Sequence, residues 1–164
     1  MKHRTSSILA RAAAAALLFF FSVPLSAAHA GPVRAVPRTV AKANSKKLVK
    51  GLAHKRGYAR ELAARGLASL PSTSEGKSAL VSCVERSSEH DYVRAACAST
   101  LASWKVKSAD KAIISAMSDA DAEARYWLAE ALHRIGTREA LGHLNSLTSD
   151  SDIYLATSAR EWVK

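Results

Sequence analysis

The sequence predicts an all-α protein, an α-solenoid of about four stacked helical hairpins. An apolar stripe with the spacing of one helical face recurs four times at offsets of 31 to 34 residues, and a shorter apolar pattern recurs between the copies. Composition agrees. All three phenylalanines fall within the first 30 residues, so the repeats must build their core from Ala, Leu, Val, Ile, Trp and Tyr. An alanine-rich core of this kind suits closely packed helices better than a β-sandwich.

Residues 1–30 read as a cleavable signal peptide. Lys2, Arg4 and Arg11 form a basic start, Ala12 to Leu25 run almost wholly apolar, and Pro24 interrupts the run. That stretch falls short of the ~20 apolar residues a membrane-spanning helix needs. Ala28-His29-Ala30 supplies the small-x-small pattern that a signal peptidase accepts, with cleavage expected after Ala30. The competing reading is an uncleaved N-terminal anchor. No cysteine lies near the cleavage point, which disfavours a lipid anchor. Nothing after residue 30 resembles a transmembrane span, and the mature chain is expected to be periplasmic or secreted.

Residues 31–44, with Pro32, Pro37 and no apolar period, are expected to form a basic N-terminal arm or linker. The repeat domain then runs over 45–164. Its short helices carry Leu48, Val49 and Leu52; then Leu80, Val81 and Val84; then Ile113, Ile114 and Met117; and last Ala140, Leu141 and Leu144. The longer helices between them show the spacing i, i+3, i+4, i+7, i+8, i+11, seen in Val93, Ala96, Cys97, Thr100, Leu101 and Trp104. Adding 31 gives Ala124, Trp127, Leu128, Ala131, Leu132 and Ile135. Subtracting 34 gives Ala59, Leu62, Ala63, Gly66, Leu67 and Leu70, and a weaker copy holds Leu155, Ser158, Ala159, Trp162 and Val163. Trp104, Trp127 and Trp162 are therefore expected in the core.

The interruptions fall between stripes, at Gly57, Pro71 to Ser74, Ser87-Ser88, Ser108 to Asp110, Ser118-Asp119, Gly136-Thr137 and Thr148 to Asp150. Ser, Thr and Asp there can accept hydrogen bonds from the free N–H groups of a following helix, and Gly136 is placed to close one in the left-handed conformation. A hairpin cannot bury its own stripe and needs a neighbour, which is the logic of a solenoid. An ordinary helical bundle would not be expected to repeat six positions at a fixed offset.

Asp91-Tyr92-Val93-Arg94-Ala95-Ala96, Asp121-Ala122-Glu123-Ala124-Arg125 and the run from Ala131 to Leu141 together resemble the HEAT repeat, and are most similar to the short type found in phycobilisome-lyase proteins. The likeness is strong over 88–148, extends back to 46, and fades over 150–164. Ala156 stands in place of the arginine in the last copy, and Ser103-Trp104 stands in place of the usual Ile-Gly in the second. The resemblance implies a curved solenoid that binds other proteins and carries no conserved chemistry. An accessory role beside a lyase-type enzyme follows only from that fold analogy, and export argues against it.

Charge is unevenly placed. Without residues 1–30 the chain has 21 basic and 14 acidic side chains, and residues 31–60 hold nine of the basic ones and no acidic one. Within that segment Lys46, Lys47, Lys50, Lys55 and Arg56 decorate the first helix and its end, and form the first candidate binding group. Clustered positive charge attracts an acidic protein, an anionic membrane surface or an anionic envelope polymer. Export makes nucleic acid a poor target. A solvated linker is the plain alternative.

Arg60, Arg94 and Arg125 share one position in three long helices and form a second candidate group, a basic row for an acidic partner. The favoured reading for them is structural, each bridging to an acidic residue of an adjacent turn. Tyr58, Tyr92 and Tyr154 also share a position, read either as an exposed aromatic row or, by preference, as half-buried packing at the helix start. Cys83 and Cys97 lie on apolar faces of adjacent helices, so a disulfide and two buried thiols both stay open.

No catalytic, cofactor or metal site is expected. His54, His90, His133 and His143 make no H-E-x-x-H motif, and the chain has no G-x-S-x-G, Walker loop, dinucleotide fingerprint or C-x-x-C. The sequence thus points to an exported, non-catalytic repeat scaffold that binds a protein partner. The alternative is a peripheral envelope protein held on anionic lipid or polymer by its basic end.

Overall fold

A computed structural model describes residues 38–164, and the signal peptide expected at 1–30 lies outside the described residues. Among the described residues eight α-helices follow one another: α1 (Arg38–Gly51), α2 (Gly57–Ala68), α3 (Ser74–Glu85), α4 (Asp91–Ser103), α5 (Asp110–Ala116), α6 (Ala122–Ile135), α7 (Arg138–Ser146) and α8 (Ile153–Trp162). Short 3-10 turns lead into α5 and follow α7. The helices pair as hairpins α1/α2, α3/α4, α5/α6 and α7/α8. The even-numbered helices pack side by side in one layer and the odd-numbered ones in another, so four hairpins stack as an all-α solenoid.

The first helix corrects one expectation. It begins at Arg38, so residues 38–44 belong to α1 and not to an arm. Pro37 is the last helix breaker before Gly51, and the residues between continue a helix without needing an apolar period. Elsewhere the turn chemistry works as its residue types suggest. The side chains of Thr73, Asp121, Thr137 and Asp152 each accept from a backbone N–H in the first turn of the helix they precede.

Two helices end through left-handed residues at one repeat position. Gly136 closes α6 with φ +70°, and Lys105 follows α4 with φ +53°. Lys105 lies 31 residues before Gly136, so the Ile135-Gly136 pair corresponds to Trp104-Lys105. The substitution placed at Ser103-Trp104 is thereby moved by one residue. Glycine takes this conformation freely, whereas a Cβ is crowded there.

The core runs between the layers through Leu67, Leu80, Leu101, Ile113, Leu128 and Leu144, all fully buried. Neighbouring repeats are also tied by hydrogen bonds: Thr100 Oγ1 donates to the Ala64 carbonyl at 2.8 Å, and Trp104 Nε1 donates to the Leu70 carbonyl at 3.0 Å. Within the second hairpin Cys83 of α3 and Cys97 of α4 are joined as a disulfide, with Cα atoms 6.4 Å apart. A bridge closing so short a loop contributes about 3 kcal/mol in the chain-entropy account.

Trp104 and Trp162 pack on the core at its margin, but Trp127 is 47 % exposed and Leu62 is 62 % exposed. Both occupy the i+3 position of the stripe. At about 100° per residue that position lies at one edge of the apolar arc, where a side chain leaves the layer instead of entering it. The stripe alone places both residues in the core, and the structure puts them on the surface.

Replacing Lys105 by Gly relieves the crowded left-handed residue, so stability is expected to rise by about 1 kcal/mol. Gly136→Lys imposes the same crowding and lowers stability by a similar amount. Urea unfolding of both variants checks the pair, and a loss of stability in Lys105→Gly would contradict it.

Candidate protein-binding face

The arginine row is absorbed inside the stack. Arg94 is only 3 % exposed. Its Nε donates to the Val84 carbonyl in the last turn of α3 at 3.1 Å, and its Nη2 donates to the Ala116 carbonyl that ends α5 at 3.0 Å. Both acceptors belong to helix C-terminal turns, where carbonyls lack intrahelical partners and the helix dipole favours a cation. Asp119 at 2.8 Å and Asp91 at 3.3 Å supply the balancing charge. Arg60 is bound in the same manner: Nη1 donates to the His54 and Lys55 carbonyls of the loop after α1, while Nε and Nη2 grip both oxygens of Glu89 at 2.7 and 2.6 Å. Arg125 pairs with Asp150. Each arginine thus reaches an acidic residue in the turn before the next even-numbered helix. Arg60 and Arg94 are engaged by their own hairpin and the next one, and Arg125 has one donor on Asp150 of the next repeat, so the row matches the structural bridging favoured for it over a free basic row.

The carboxylates record the same clamps. Burial pushes the Glu89 carboxyl up, but the Arg60 hydrogen bond, the His90 N–H and the nearby charge outweigh it and hold it below the usual range. The Arg94 hydrogen bond holds Asp119 low. Burial opposes the shift at Asp150, yet the Asp152 N–H and Arg125 prevail. His143 behaves oppositely to a paired histidine. Burial, with the Arg125 charge, lowers its pKa, and its Nε2 has no hydrogen-bond partner.

Lys46, Lys47, Lys50, Lys55 and Arg56 are all exposed. Among the described residues none of the five lies within ion-pair distance of a carboxylate. They leave the first hairpin with an unneutralised positive surface.

The even-numbered layer carries a different surface. Tyr58, Tyr92 and Tyr154 are 54 %, 46 % and 81 % exposed, so the half-buried packing reading is corrected to an exposed row. They stand before the stripe at each helix start, beyond the reach of the layer beneath. Tyr92 is held in place: its ring stacks on His90 with centroids 5.3 Å apart, and its hydroxyl lies so close over Gly57 that a Cβ there would collide with it. Beside Tyr92 a groove of about 850 Å³ opens across α2, α4 and α6. Its floor is small, formed by Ala95, Ala96, Ser99 and Ala124, with Tyr92, the His90 stacked on it and Trp127 as exposed rings. Ala96 occupies the repeat position that holds Leu62 and Trp127 in the flanking copies, so the groove is a low step between taller neighbours.

A family model for HEAT repeats matches residues 78–163, just over half of the chain. This chain belongs to the HEAT-repeat family. Among curated proteins none matches it. HEAT repeats are commonly protein-interaction scaffolds. In this HEAT-repeat protein the match covers α4 to α8 and part of α3, and the α1/α2 hairpin before it stacks in the same two layers. Among the described residues no helix is long and apolar enough to cross a membrane. The groove itself was not legible in the sequence. Its one signal was the alternation Leu62, Ala96, Trp127 at a single repeat position, which a search for apolar stripes treats as uniform.

The pKa directions fix a pH dependence. Glu89, Asp119 and Asp150 have folded values below their unfolded ones, so their stabilisation is fully present above about pH 4 to 5 and is lost as pH falls through the folded values. His143 also has a folded value below its unfolded one, so the unfolded chain takes up the proton first and stability already drops as pH falls through about 6.5. Urea midpoints should therefore decline in two steps on acidification, with His143→Asn removing the first and sparing the second. Midpoints that hold constant or rise from pH 8 to pH 3 would contradict this.

Proposed function

We propose that this HEAT-repeat protein is an exported, non-catalytic scaffold that binds a protein partner on the exposed face of α2, α4 and α6. The observation that carries the reading is the groove beside Tyr92 and Trp127, where large rings are held exposed on rigid helices above a floor of small side chains. Exposed aromatic rings are the side chains that most often anchor protein interfaces. Export is supported by the basic, apolar and small-residue order of residues 1–30 and by the Cys83–Cys97 disulfide, since such bonds persist in oxidising compartments. Lys46, Lys47, Lys50, Lys55 and Arg56 add electrostatic steering, which raises association rates more than it deepens a bound state.

Those five exposed cations also favour a second reading, a peripheral protein held on anionic lipid or envelope polymer by its first hairpin. One set of variants separates the two. Trp127→Ala combined with Tyr92→Ser is expected to reduce partner capture from the native envelope fraction by about tenfold, the equivalent of about 1.4 kcal/mol, while leaving binding to phosphatidylglycerol vesicles unchanged. Gln at the five basic positions is expected to slow association in a salt-dependent way without abolishing capture. Capture indifferent to the aromatic pair, with retention that vanishes on removing the five charges, would replace the first reading with the second.

A further inference from the structure

We propose that the groove across α2, α4 and α6 seats an amphipathic helical segment of the partner, about four turns long. Its apolar side packs on Trp127 and the alanine floor, and one of its Lys or Arg side chains enters the corner between Tyr92, Trp127 and Glu123. The inference rests on the reading that this face binds a protein, and specifies what kind of segment it takes.

The charge of the groove selects the sign of the occupant. Five carboxylates line it, Glu61, Asp91, Asp121, Glu123 and Glu130, against two arginines, Arg65 and Arg134, and one histidine, His90, stacked on Tyr92. Those arginines are engaged at home. Arg65 is held by Glu61 at 2.8 Å, and Arg134 donates to the Ser99 and Ser103 hydroxyls and lies 3.8 Å from Glu130. The uncompensated charge is therefore at the other end, at the starts of α4 and α6. There Asp91 is shared with Arg94 and the Asp121 N–H, and Asp121 caps α6 through one oxygen. Among the described residues Glu123 has neither an ion-pair partner nor a capping role; it is exposed, lines the groove with Tyr92 and Trp127, and stands one helical turn before Trp127 on α6. An arginine or lysine entering this corner meets a carboxylate and aromatic faces together, which an acidic or neutral side chain cannot exploit.

The shape selects a helix. All the regular structure described is helical, so the groove offers no strand edge to which an extended peptide could add its backbone. A helix satisfies its own backbone and needs only a side-chain surface. With packed helices about 9–10 Å apart, α2 and α6 stand about 20 Å apart across α4, a span that about 14 helical residues cover. The small floor, Ala95, Ala96 and Ser99, lets such a helix settle close, with Trp127 as the wall against its apolar side.

The test uses the full chain and three fluorescein-labelled peptides of about 14 residues: an amphipathic Leu/Lys helix, its Leu/Glu counterpart, and a Ser/Lys peptide of the same charge without leucine. Fluorescence anisotropy at about 0.15 M salt reads binding. The Leu/Lys helix is expected to bind at least about tenfold more tightly than either control. Trp127→Ala and Glu123→Lys, both at exposed positions, each weaken it by about tenfold or more, while Leu141→Ser on α7 leaves it unchanged. Equal binding of the Leu/Glu helix, or binding indifferent to both groove variants, overturns the inference. If Trp127→Ala combined with Tyr92→Ser still reduces capture from the envelope fraction in that case, the broader reading stands and only this occupant is wrong. If capture is also untouched, both fall.

Discussion

The stack depends on one repeated interaction, an arginine from an even-numbered helix that reaches into the next repeat. Hydrophobic stripes explain why the hairpins associate, but stripes slide, because alanine and leucine surfaces tolerate many registers. The clamp does not. At Arg94 the guanidinium meets two helix C-terminal carbonyls and two carboxylates, and at Arg60 it meets two loop carbonyls and both oxygens of Glu89. Five donors in a fixed plane satisfy such a set only in one arrangement of neighbouring repeats, which a lysine could not reproduce. Losing one partner would strand the rest in a nearly dry site, and that costs more than the pair contributes when intact.

The clamp also decides what is left for function. Once Arg60, Arg94 and Arg125 are turned inward, the even-numbered layer is left with rings and carboxylates on its outer side, and unpaired positive charge collects on the first hairpin. The repeat stack therefore presents two unlike surfaces: an aromatic groove with an acidic end, and a basic first hairpin. Their different chemistry is why aromatic and charge substitutions can separate the candidate partners.

Much of the architecture could be read directly from residue spacing. The four stripes, the four short patterns between them and the cap residues Thr73 and Thr137 correspond to elements of the structure, because helix periodicity and turn chemistry are local, whereas the caps Asp121 and Asp152 lie two residues beyond the breaks read at Ser118-Asp119 and Thr148 to Asp150. The start of α1 was hidden, since a helix without an apolar period gives no signal until it packs. Two kinds of information were not local at all. Whether position i+3 of a stripe is core or surface depends on where the neighbouring layer ends, so Trp127 and Leu62 look buried in the sequence and are exposed in the fold. Whether Cys83 and Cys97 meet depends on the registration of α3 against α4, which sequence spacing leaves open. The arginine clamps lay between these cases: the shared repeat position was visible, whereas the carbonyl acceptors were not.

The most direct test of this account is a double-mutant cycle on Arg60 and Glu89, measured by urea unfolding of Arg60→Met, Glu89→Met and the pair together. Contacting residues in a buried network couple by about 0.5–3 kcal/mol, whereas exposed ion pairs contribute little. If the clamp holds the register of the first two repeats, the coupling lies above about 1 kcal/mol and the double variant is less destabilised than the sum of the single ones. Additive effects, with no measurable coupling, would show that the stripes alone fix the stack and contradict the account.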